Sequence, residues 1–336
     1  MVRKLAKAAG LGLLRSAGGF SLAARSQRRN SELLILCYHG ISLRDEHEWA
    51  PSLYVTAEVF RQRMEQLKTF QANVLPLAAS LERLKAGTLP PRSVAITFDD
   101  GFYDFLLHAV PVLKQFGFPA TLYLTTHYCG KPIPVFNLSV NYLLWKAGIK
   151  MFVWPEANIR EPMPCENFQQ RWRIVQHLLQ QADQKGLDTE GKDELAGSLA
   201  ARLQLDYGDL RASRMFQILT EEEAAQVDRA GIDLQLHTHR HRTPRDRAAF
   251  VREIQDNRDR LRKITGRETT HFCYPSGDYD RMFLPWLREL GVESATTCEH
   301  AFAKVDSEPL LLPRLLDGMQ LTALDFESWL CGIRQQ

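Results

Sequence analysis

The sequence has little of what marks several classes of protein. Its six cysteines include no Cys-x-x-Cys pair, and in a chain of 336 residues such scattered thiols are typical of small buried side chains and not of a disulfide framework. No apolar run approaches the ~18 residues of a membrane-spanning helix. The formal net charge of +2 is too small to predict nucleic acid as a partner. The remaining composition, 45% hydrophobic and 24% charged, is that of a folded globular protein.

Acidic residues are absent from the first thirty positions. The basic residues there are Arg3, Lys4, Lys7, Arg15, Arg25, Arg28 and Arg29. The apolar stretch Ala8–Leu14 is short and is followed by Arg15, so a cleavable signal peptide is only weakly indicated. Residues 1–30 are therefore expected to form a basic N-terminal helix or arm, which is either an ordinary surface helix or one that rests on an anionic membrane. These features predict a cytoplasmic protein, with peripheral contact at the inner face of the membrane if the arm binds lipid.

Strands and helices alternate over residues 31–336, which predicts an α/β protein with a largely parallel sheet. The seven predicted strands lie at 33–38, 94–98, 120–125, 232–236, 271–275, 294–298 and 311–315. The pattern changes between about 131 and 219, where prolines cluster and two helical stretches follow, at about 167–187 and 192–204. We interpret this segment as a largely helical insertion on one rim of the domain, because connections of this length are uncommon without a function.

Two adjacent carboxylates, Asp99 and Asp100, follow the apolar strand that ends at Phe98. Such a pair is costly to bury unless something pairs it, and strand ends of this kind carry the active sites of α/β barrels. A metal is a good partner, because one aspartate can bind it while the other stays free as a base. The alternative is that both aspartates cap the following helix.

Two histidines follow the strand at 232–236 with a spacing of four residues. In the run His237-Thr238-His239-Arg240-His241, the first and last imidazoles share one face if the run forms a helical turn, and they can then hold one ion. His239 points elsewhere in such a turn. The alternative is a histidine-rich surface loop, and the presence of the aspartate pair in the same chain weakens that alternative.

Together, ITFDDGF (96–102) and HTHRH (237–241) resemble the first two motifs of the polysaccharide deacetylases, carbohydrate esterase family 4. The resemblance covers roughly 33–130 and 218–316, and it implies an irregular (β/α) barrel of about seven strands that holds a metal on one aspartate and two histidines. Carried over by position, Asp99 is the general base, and Asp100, His237 and His241 are the metal ligands.

The third motif departs from the family pattern. Where the family has Arg-x-Pro-Tyr, this chain reads Cys273-Tyr274-Pro275-Ser276. The arginine partner of the base is therefore missing from its usual place. A backbone N–H near Ser276 can still serve in an oxyanion hole, because a main-chain donor does not depend on the side chain, and Tyr274 is a further candidate for this substrate-binding region. Arg314 is a candidate replacement for the arginine, or else a surface salt-bridge residue.

A single histidine, His39, follows the first strand in Cys37-Tyr38-His39-Gly40. A lone histidine there is more often structural. The chain lacks the family's usual C-terminal Leu-His-Asp motif, however, and resembles the circularly permuted subgroup with an N-terminal Tyr-His. That resemblance implies that His39 is the general acid.

The sequence therefore predicts a metal-dependent hydrolase that removes an N-acetyl or N-formyl group from an amino sugar, and not from a peptide. Zinc is the expected metal, and iron(II), cobalt and nickel also suit such ligands. The expected substrate is an acylated glycan or a lipid-linked sugar. Two alternatives stay open: a metal-dependent amidase for a small non-sugar amide, and an inactive glycan-binding relative, which the altered third motif suggests.

Overall fold

The structure is a computed structural model that describes residues 2–333, with side chains described from Ala9 onward. The side chains of Arg3, Lys4 and Lys7, which belong to the predicted basic arm, lie outside the described residues. Within the described range none of the helices is long and apolar enough to span a bilayer.

The strands of the described chain are β1 (Leu34–Tyr38), β2 (Gly40–Ile41), β3 (Tyr54–Val55), β4 (Asn73–Val74), β5 (Ser93–Phe98), β6 (Thr121–Leu124), β7 (Met151–Trp154), β8 (Ile159–Pro164), β9 (Asp233–Leu236), β10 (His271–Cys273), β11 (Ser294–Thr296) and β12 (Leu315–Leu316). The α-helices of the same range are α1 (Val2–Ser16), α2 (Gly19–Ala24), α3 (Gln27–Asn30), α4 (Glu46–Trp49), α5 (Ala57–Thr69), α6 (Leu77–Lys85), α7 (Val110–Phe116), α8 (Phe136–Lys146), α9 (Phe168–Gln184), α10 (Thr189–Arg202), α11 (Tyr207–Ala212), α12 (Glu221–Arg229), α13 (Arg247–Thr265), α14 (Phe283–Glu289) and α15 (Ala323–Leu330).

Seven parallel strands form the main sheet in the order β11-β10-β9-β6-β5-β1-β12, and β4 pairs beside β5. A parallel bridge between Thr296 and Leu312 brings the two ends of the sheet together, so the sheet curls into an irregular barrel. The predicted α/β fold with about seven strands is confirmed. The last strand is shifted from the predicted 311–315 to β12, because Leu312 makes only the isolated bridge.

Side chains alternate between the two faces of the sheet. On β1, Leu34 and Leu36 pack against the outer helices, while Ile35 and the preceding Leu33 belong to a smaller apolar cluster that includes residues of β5, β6 and β10. This second cluster fills the inside of the barrel. The two-residue period therefore decides which side chains at the strand ends face inward.

Local sequence explains several helix ends. Thr56 caps α5 and Thr220 forms a capping box with Glu223 at the start of α12. The helix predicted after the aspartate pair ends at Gly117, which has φ 68°, but it begins as a π-helical segment at Phe105–Ala109. A π-helical turn is rare, and the spacing of apolar residues does not distinguish it from an α-helix.

The segment 131–219 contains helices α8 to α11, in agreement with the predicted, largely helical insertion. It also contains the antiparallel strand pair β7–β8. It has its own hydrophobic core, which includes Trp154 and, at its edge, Trp145 and Trp172. Trp49 and Tyr54, from the segment after β2, pack into the same core. The tryptophans of this segment therefore serve core packing.

Candidate metal and catalytic site

The strand register brings the predicted site residues together at one end of the barrel. Tyr38 pairs with Phe98 across β1 and β5, so the next residues, His39 and Asp99, emerge side by side. Leu236 pairs with Phe272 across β9 and β10, which places His237 beside Cys273 in the same way. All of these residues lie at the carboxyl ends of parallel strands, where α/β barrels carry their active sites.

Asp100 faces the two predicted histidine ligands. The Nε2 atoms of His237 and His241 lie 3.2 Å and 3.1 Å from Asp100 Oδ1, and one ligand atom from each of the three residues falls within 4.8 Å of the others. His237 is buried, whereas Asp100 is 15% and His241 is 36% exposed. The group is therefore open on the His241 side, where a small ligand can enter.

The backbone at this group is not helical. Residues 237–242 form an irregular loop, so the prediction that His237 and His241 share a helical turn is wrong, although the two imidazoles do converge. Thr238 (φ 60°) and His241 (φ 53°) both adopt the left-handed conformation, and these two turns of the chain bring His241 back towards Asp100. Two histidines four residues apart can therefore converge in an irregular loop as well as in a helical turn.

His237 is oriented by a second contact. Its Nδ1–H donates a hydrogen bond to the carbonyl oxygen of Cys273 at 2.8 Å, so Nε2 is the nitrogen that faces Asp100, at 3.2 Å. This arrangement is typical of metal-binding histidines, whose other nitrogen is usually held by a carbonyl or a carboxylate. Burial alone raises the pKa of Asp100, but the two imidazoles outweigh burial and hold this pKa well below its usual range.

Asp99 lies inside the barrel and is only 2% exposed. Arg314, itself fully buried, donates from both terminal nitrogens to the two carboxylate oxygens, each at 2.7 Å. The same guanidinium donates to the hydroxyl of Thr97 and to the carbonyl of Thr297, which fixes its plane. Arg314 is therefore a buried partner of Asp99 and not a surface salt-bridge residue.

The charge of Arg314 controls the ionisation of Asp99. Burial raises the pKa of the Asp99 carboxyl, but the guanidinium outweighs burial and holds this pKa well below its usual range. In turn, burial lowers the pKa of Arg314, and the negative charge of Asp99 reverses that effect and raises it well above its usual value. Both groups are thus charged, as a bidentate buried pair requires.

Two thiols pack around this ion pair. Cys273 Sγ lies 3.4 Å from Asp99 Oδ2 and 3.1 Å from Arg314 Nη2, and Cys37 Sγ lies 3.5 Å from the same carboxylate oxygen. Burial raises the pKa of both thiols well above the usual value, so both remain protonated and can donate weakly. All six cysteines are free, five of them buried, as their spacing predicts.

His39 stands at the edge of the Asp99 group. Its Nε2 lies 3.6 Å from Asp99 Oδ2, and its Nδ1 is buried without a hydrogen-bond partner within the described chain. Burial lowers the pKa of the imidazole, and the charge of Asp99 opposes that effect without cancelling it. His39 therefore borders the Asp99 side of the site, at a separation longer than a direct hydrogen bond.

The third motif divides into an exposed residue and a buried one. Ser276 is exposed in a short 3₁₀ turn, at φ 56°. Tyr274 is fully buried, and its hydroxyl donates to the carbonyl of Leu310. The structure thus argues against the predicted substrate contact for Tyr274, because this residue, directly after β10, packs in the main hydrophobic core.

Two residues on α13 that were not predicted as part of the site contact the histidine loop, Glu253 and Asn257. Both are buried polar side chains, and they bond to the backbone at Arg240 and His237. They share the helical spacing of Phe250, Ile254 and Leu261, the apolar residues on the buried face of α13. A polar side chain on such a face is the sequence signal that points to them.

The family model for polysaccharide deacetylase matches residues 86–295, well over half of the chain. This range contains the aspartate pair and the histidine loop, while His39 and Arg314 lie outside it.

Curated relatives match over shorter stretches. A poly-β-1,6-N-acetyl-D-glucosamine N-deacetylase of Staphylococcus epidermidis is 34% identical over 90 residues, 27% of this chain and 31% of that protein. The corresponding enzyme of Staphylococcus aureus is 35% identical over 77 residues, 23% of this chain and 27% of that protein. The aligned region thus spans less than a third of the length of these relatives.

Solved structures match over nearly the whole chain. The Streptococcus pyogenes deacetylase PplD, in complex with acetate, has a TM-score of 0.58 at 19% identity and covers 88% of this chain and 96% of its own. IcaB from Ammonifex degensii has a TM-score of 0.55 at 17% identity and covers 89% and 97%. At such identities the likeness establishes the shared fold. With this fold and the family match over residues 86–295, the chain belongs to the polysaccharide deacetylase family.

Proposed function

We propose that this protein is a metal-dependent hydrolase that removes an N-acetyl group from an amino sugar of a polysaccharide. The proposal rests on one observation: the side chains of Asp100, His237 and His241 converge, and the buried Asp99 lies beside them. The named relatives act on poly-β-1,6-N-acetyl-D-glucosamine, and their likeness in the aligned region supports the same class of substrate.

The donor set fits a divalent metal. Two imidazoles and one carboxylate leave positions open for water and substrate, and they suit zinc best, with iron(II), cobalt and nickel as alternatives. Two other groups of potential ligands share Asp99, namely Cys37 with His39, and His237 with Cys273. These groups suit a cation poorly, because Arg314 already occupies both oxygens of Asp99. When bound at Asp100, a metal would acidify a water molecule and polarise the acyl carbonyl.

In this proposal Asp99 is the general base. It is held ionised beside the metal ligands, so it can accept a proton from the attacking water. A carboxylate with a depressed pKa is a weak base, and the acidity of the water has to compensate for that. Arg314 fixes the orientation of the carboxylate, and its two bonds keep the geometry constant while the proton moves.

Arg314 takes the role of the arginine that the third motif lacks. The small Cys273 stands at the motif position of that arginine, and its thiol touches the Arg314 guanidinium. A guanidinium from either position would thus reach the same carboxylate. This contact removes the reason for regarding the protein as an inactive glycan-binding relative, because the altered motif is compensated elsewhere in the chain.

His39 is the proposed general acid. It stands 3.6 Å from Asp99, so a proton accepted there has a short path to the leaving amine. The proposed oxyanion donor is the backbone N–H near Ser276, which lies in the exposed turn at the mouth of the barrel. Both assignments follow the family resemblance, with the N-terminal Tyr-His of the permuted subgroup as the basis for His39.

The test is a release assay with matched substrates. Zinc-loaded protein is incubated with poly-N-acetylglucosamine, a lipid-linked N-acetyl amino sugar, the corresponding N-formyl sugar and a small N-acetyl amine, and free acetate or formate is measured. Release from the polymer that stops with a chelator and returns with zinc is expected. Release from the small amine alone would instead indicate an amidase, and an Asp99→Asn variant that keeps full activity would refute the role of Asp99.

We also propose that the N-terminal helices rest on an anionic membrane surface. Leu13 and Leu22 are 74% and 77% exposed, and the surrounding segment is basic without any acid. Arg29 anchors the segment, because its buried guanidinium donates to the carbonyls of Glu32, Ser93 and Leu330. Exposed apolar side chains among basic ones suit a surface of anionic lipid.

The position of this segment affects the choice of substrate. Ser93 is the first residue of β5, whereas Asp99 follows its last, so the helices lie at the end of the barrel away from the site. A polymer fits this arrangement better than a sugar on a short lipid in the same bilayer. Sedimentation with phosphatidylglycerol vesicles should be lost in a Leu13→Ser/Leu22→Ser variant, and equal sedimentation of the two proteins would refute the contact.

A further inference from the structure

The histidine loop, residues 237–242, depends on backbone conformations that are unfavourable for its residues. Thr238 and His241 both have positive φ, although neither is glycine, and a β-branched residue such as threonine is rare in that region. No helix or strand fixes the loop. Interactions from outside the loop must therefore hold it in the form that turns both imidazoles towards Asp100.

Helix α13 supplies several of these interactions through two residues one turn apart. The side-chain oxygen of Asn257 accepts the backbone N–H of His237 at 2.9 Å. The Asn257 amide donates to the carbonyl of Leu124 and to the hydroxyl of Thr126, at 3.0 Å and 2.9 Å. Asn257 thus joins the ends of β6 and β9 to the first metal ligand, and it is completely buried.

Glu253 holds the middle of the same loop. Its carboxylate accepts the backbone N–H of Arg240 at 2.8 Å and the guanidinium of Arg242 at 2.7 Å. Its own carbonyl accepts the backbone N–H of His239 at 3.1 Å. The carboxylate is buried, which makes these charge-assisted bonds stronger than they would be in water.

We infer that Glu253 and Asn257 are positioning residues that hold the loop 237–242 in its metal-binding form, an inference that rests on the metal site of the proposed function. Neither side chain contacts the metal position itself. They act on the backbone on both sides of Thr238, and thereby fix where His237 and His241 stand. Nothing in the family resemblance assigns a role to either residue.

The inference predicts a loss of metal affinity with an intact fold. Outer-shell partners of metal ligands typically contribute about 10–100-fold to affinity, and we expect a loss of that size in Asn257→Ala. Glu253→Gln keeps the shape of the side chain but removes its charge, so the loss should be smaller. Asp256→Asn is the matched control: it lies on the same helix, is exposed and pairs with Arg240, and it should change affinity by no more than about twofold.

The experiment is a competitive titration of metal-free protein with zinc and a chromogenic chelator, with hydrogen exchange of residues 237–242 measured in parallel. Weaker zinc binding and faster exchange in both positioning variants, with unchanged circular dichroism, would support the inference. If Asn257→Ala does not fold, Glu253→Gln carries the test. Wild-type affinity in both variants would overturn the inference and leave the proposed function standing, whereas a wild-type protein that binds none of zinc, iron(II), cobalt and nickel would overturn both.

Discussion

Asp99 and Asp100 are neighbours in the chain, yet they occupy opposite environments. Asp99 is enclosed in the barrel, with both oxygens bound by one guanidinium and two thiols beside them. Asp100 stands at the open rim, facing two imidazoles. Asp99 continues the inward alternation of β5, whereas Asp100 leaves the strand at φ 69° and turns towards the histidine loop.

This difference teaches how one short motif can support two chemical roles. A carboxylate whose oxygens are held by a fixed cation stays ionised and stationary, which suits a base. A carboxylate that faces two imidazoles and open solvent gains most from a divalent cation. The two roles therefore depend on the surroundings of each aspartate more than on the aspartates themselves.

Asp100→Asn should have the largest effect, because it removes the only charged ligand of the proposed metal group. We expect zinc binding to fall below detection, and acetate release with it. Elemental analysis of protein purified without an affinity tag, together with the release assay, would measure both. Full zinc content in this variant would show that the metal lies elsewhere.

Asp99→Asn should distinguish catalysis from metal binding. Turnover should fall by about 10²–10⁴-fold, the usual contribution of a positioned base, while zinc remains bound. The measurement is kcat alongside metal content, with Asp100→Asn as the comparison. Loss of zinc in Asp99→Asn would contradict the division of roles between the two aspartates.

Arg314→Ala tests the surroundings of Asp99 inside the barrel. It leaves Asp99 buried without a partner, which should cost about 3–5 kcal/mol of unfolding free energy. A base misplaced by about 1 Å can lose about 10²-fold in rate, and we expect a loss of that order in kcat.

Adding Cys273→Arg to Arg314→Ala should restore part of both losses, because it returns a guanidinium to the usual motif position. Urea unfolding and steady-state kinetics of the single and double variants would measure this. Cys273→Ala alone is the control, and it should leave the ion pair in place. No recovery in the double variant would show that the two positions are not interchangeable.

Ser276→Gly should have the smallest effect. The proposed oxyanion donor is a backbone N–H, and glycine readily adopts the φ of 56° found here. We expect kcat/KM to stay within about twofold of the wild type, the range of an ordinary surface substitution. A large loss would indicate that the serine hydroxyl itself contacts the substrate.

Sequence reasoning succeeded where a residue follows directly from a strand. The apolar runs predicted the seven strands of the barrel, and the polar residues after them lie together at one rim of it. It failed where the chain leaves regular structure: the π-helical segment, the strand pair in the insertion and the loop at 237–242 carry no periodic signal. Their conformations depend on contacts with distant residues.

The sequence by itself determined the family, and it placed Asp99, Asp100 and His237 at one rim, because strand ends of a parallel barrel necessarily meet there. His241 reaches the same rim only through the irregular loop 237–242. Only the tertiary structure decided which cation accompanies Asp99. Arg314 lies 215 residues away, and nothing near it in the chain indicates its partner. The closure of the sheet, which brings β12 beside β1, places its guanidinium against the carboxylate.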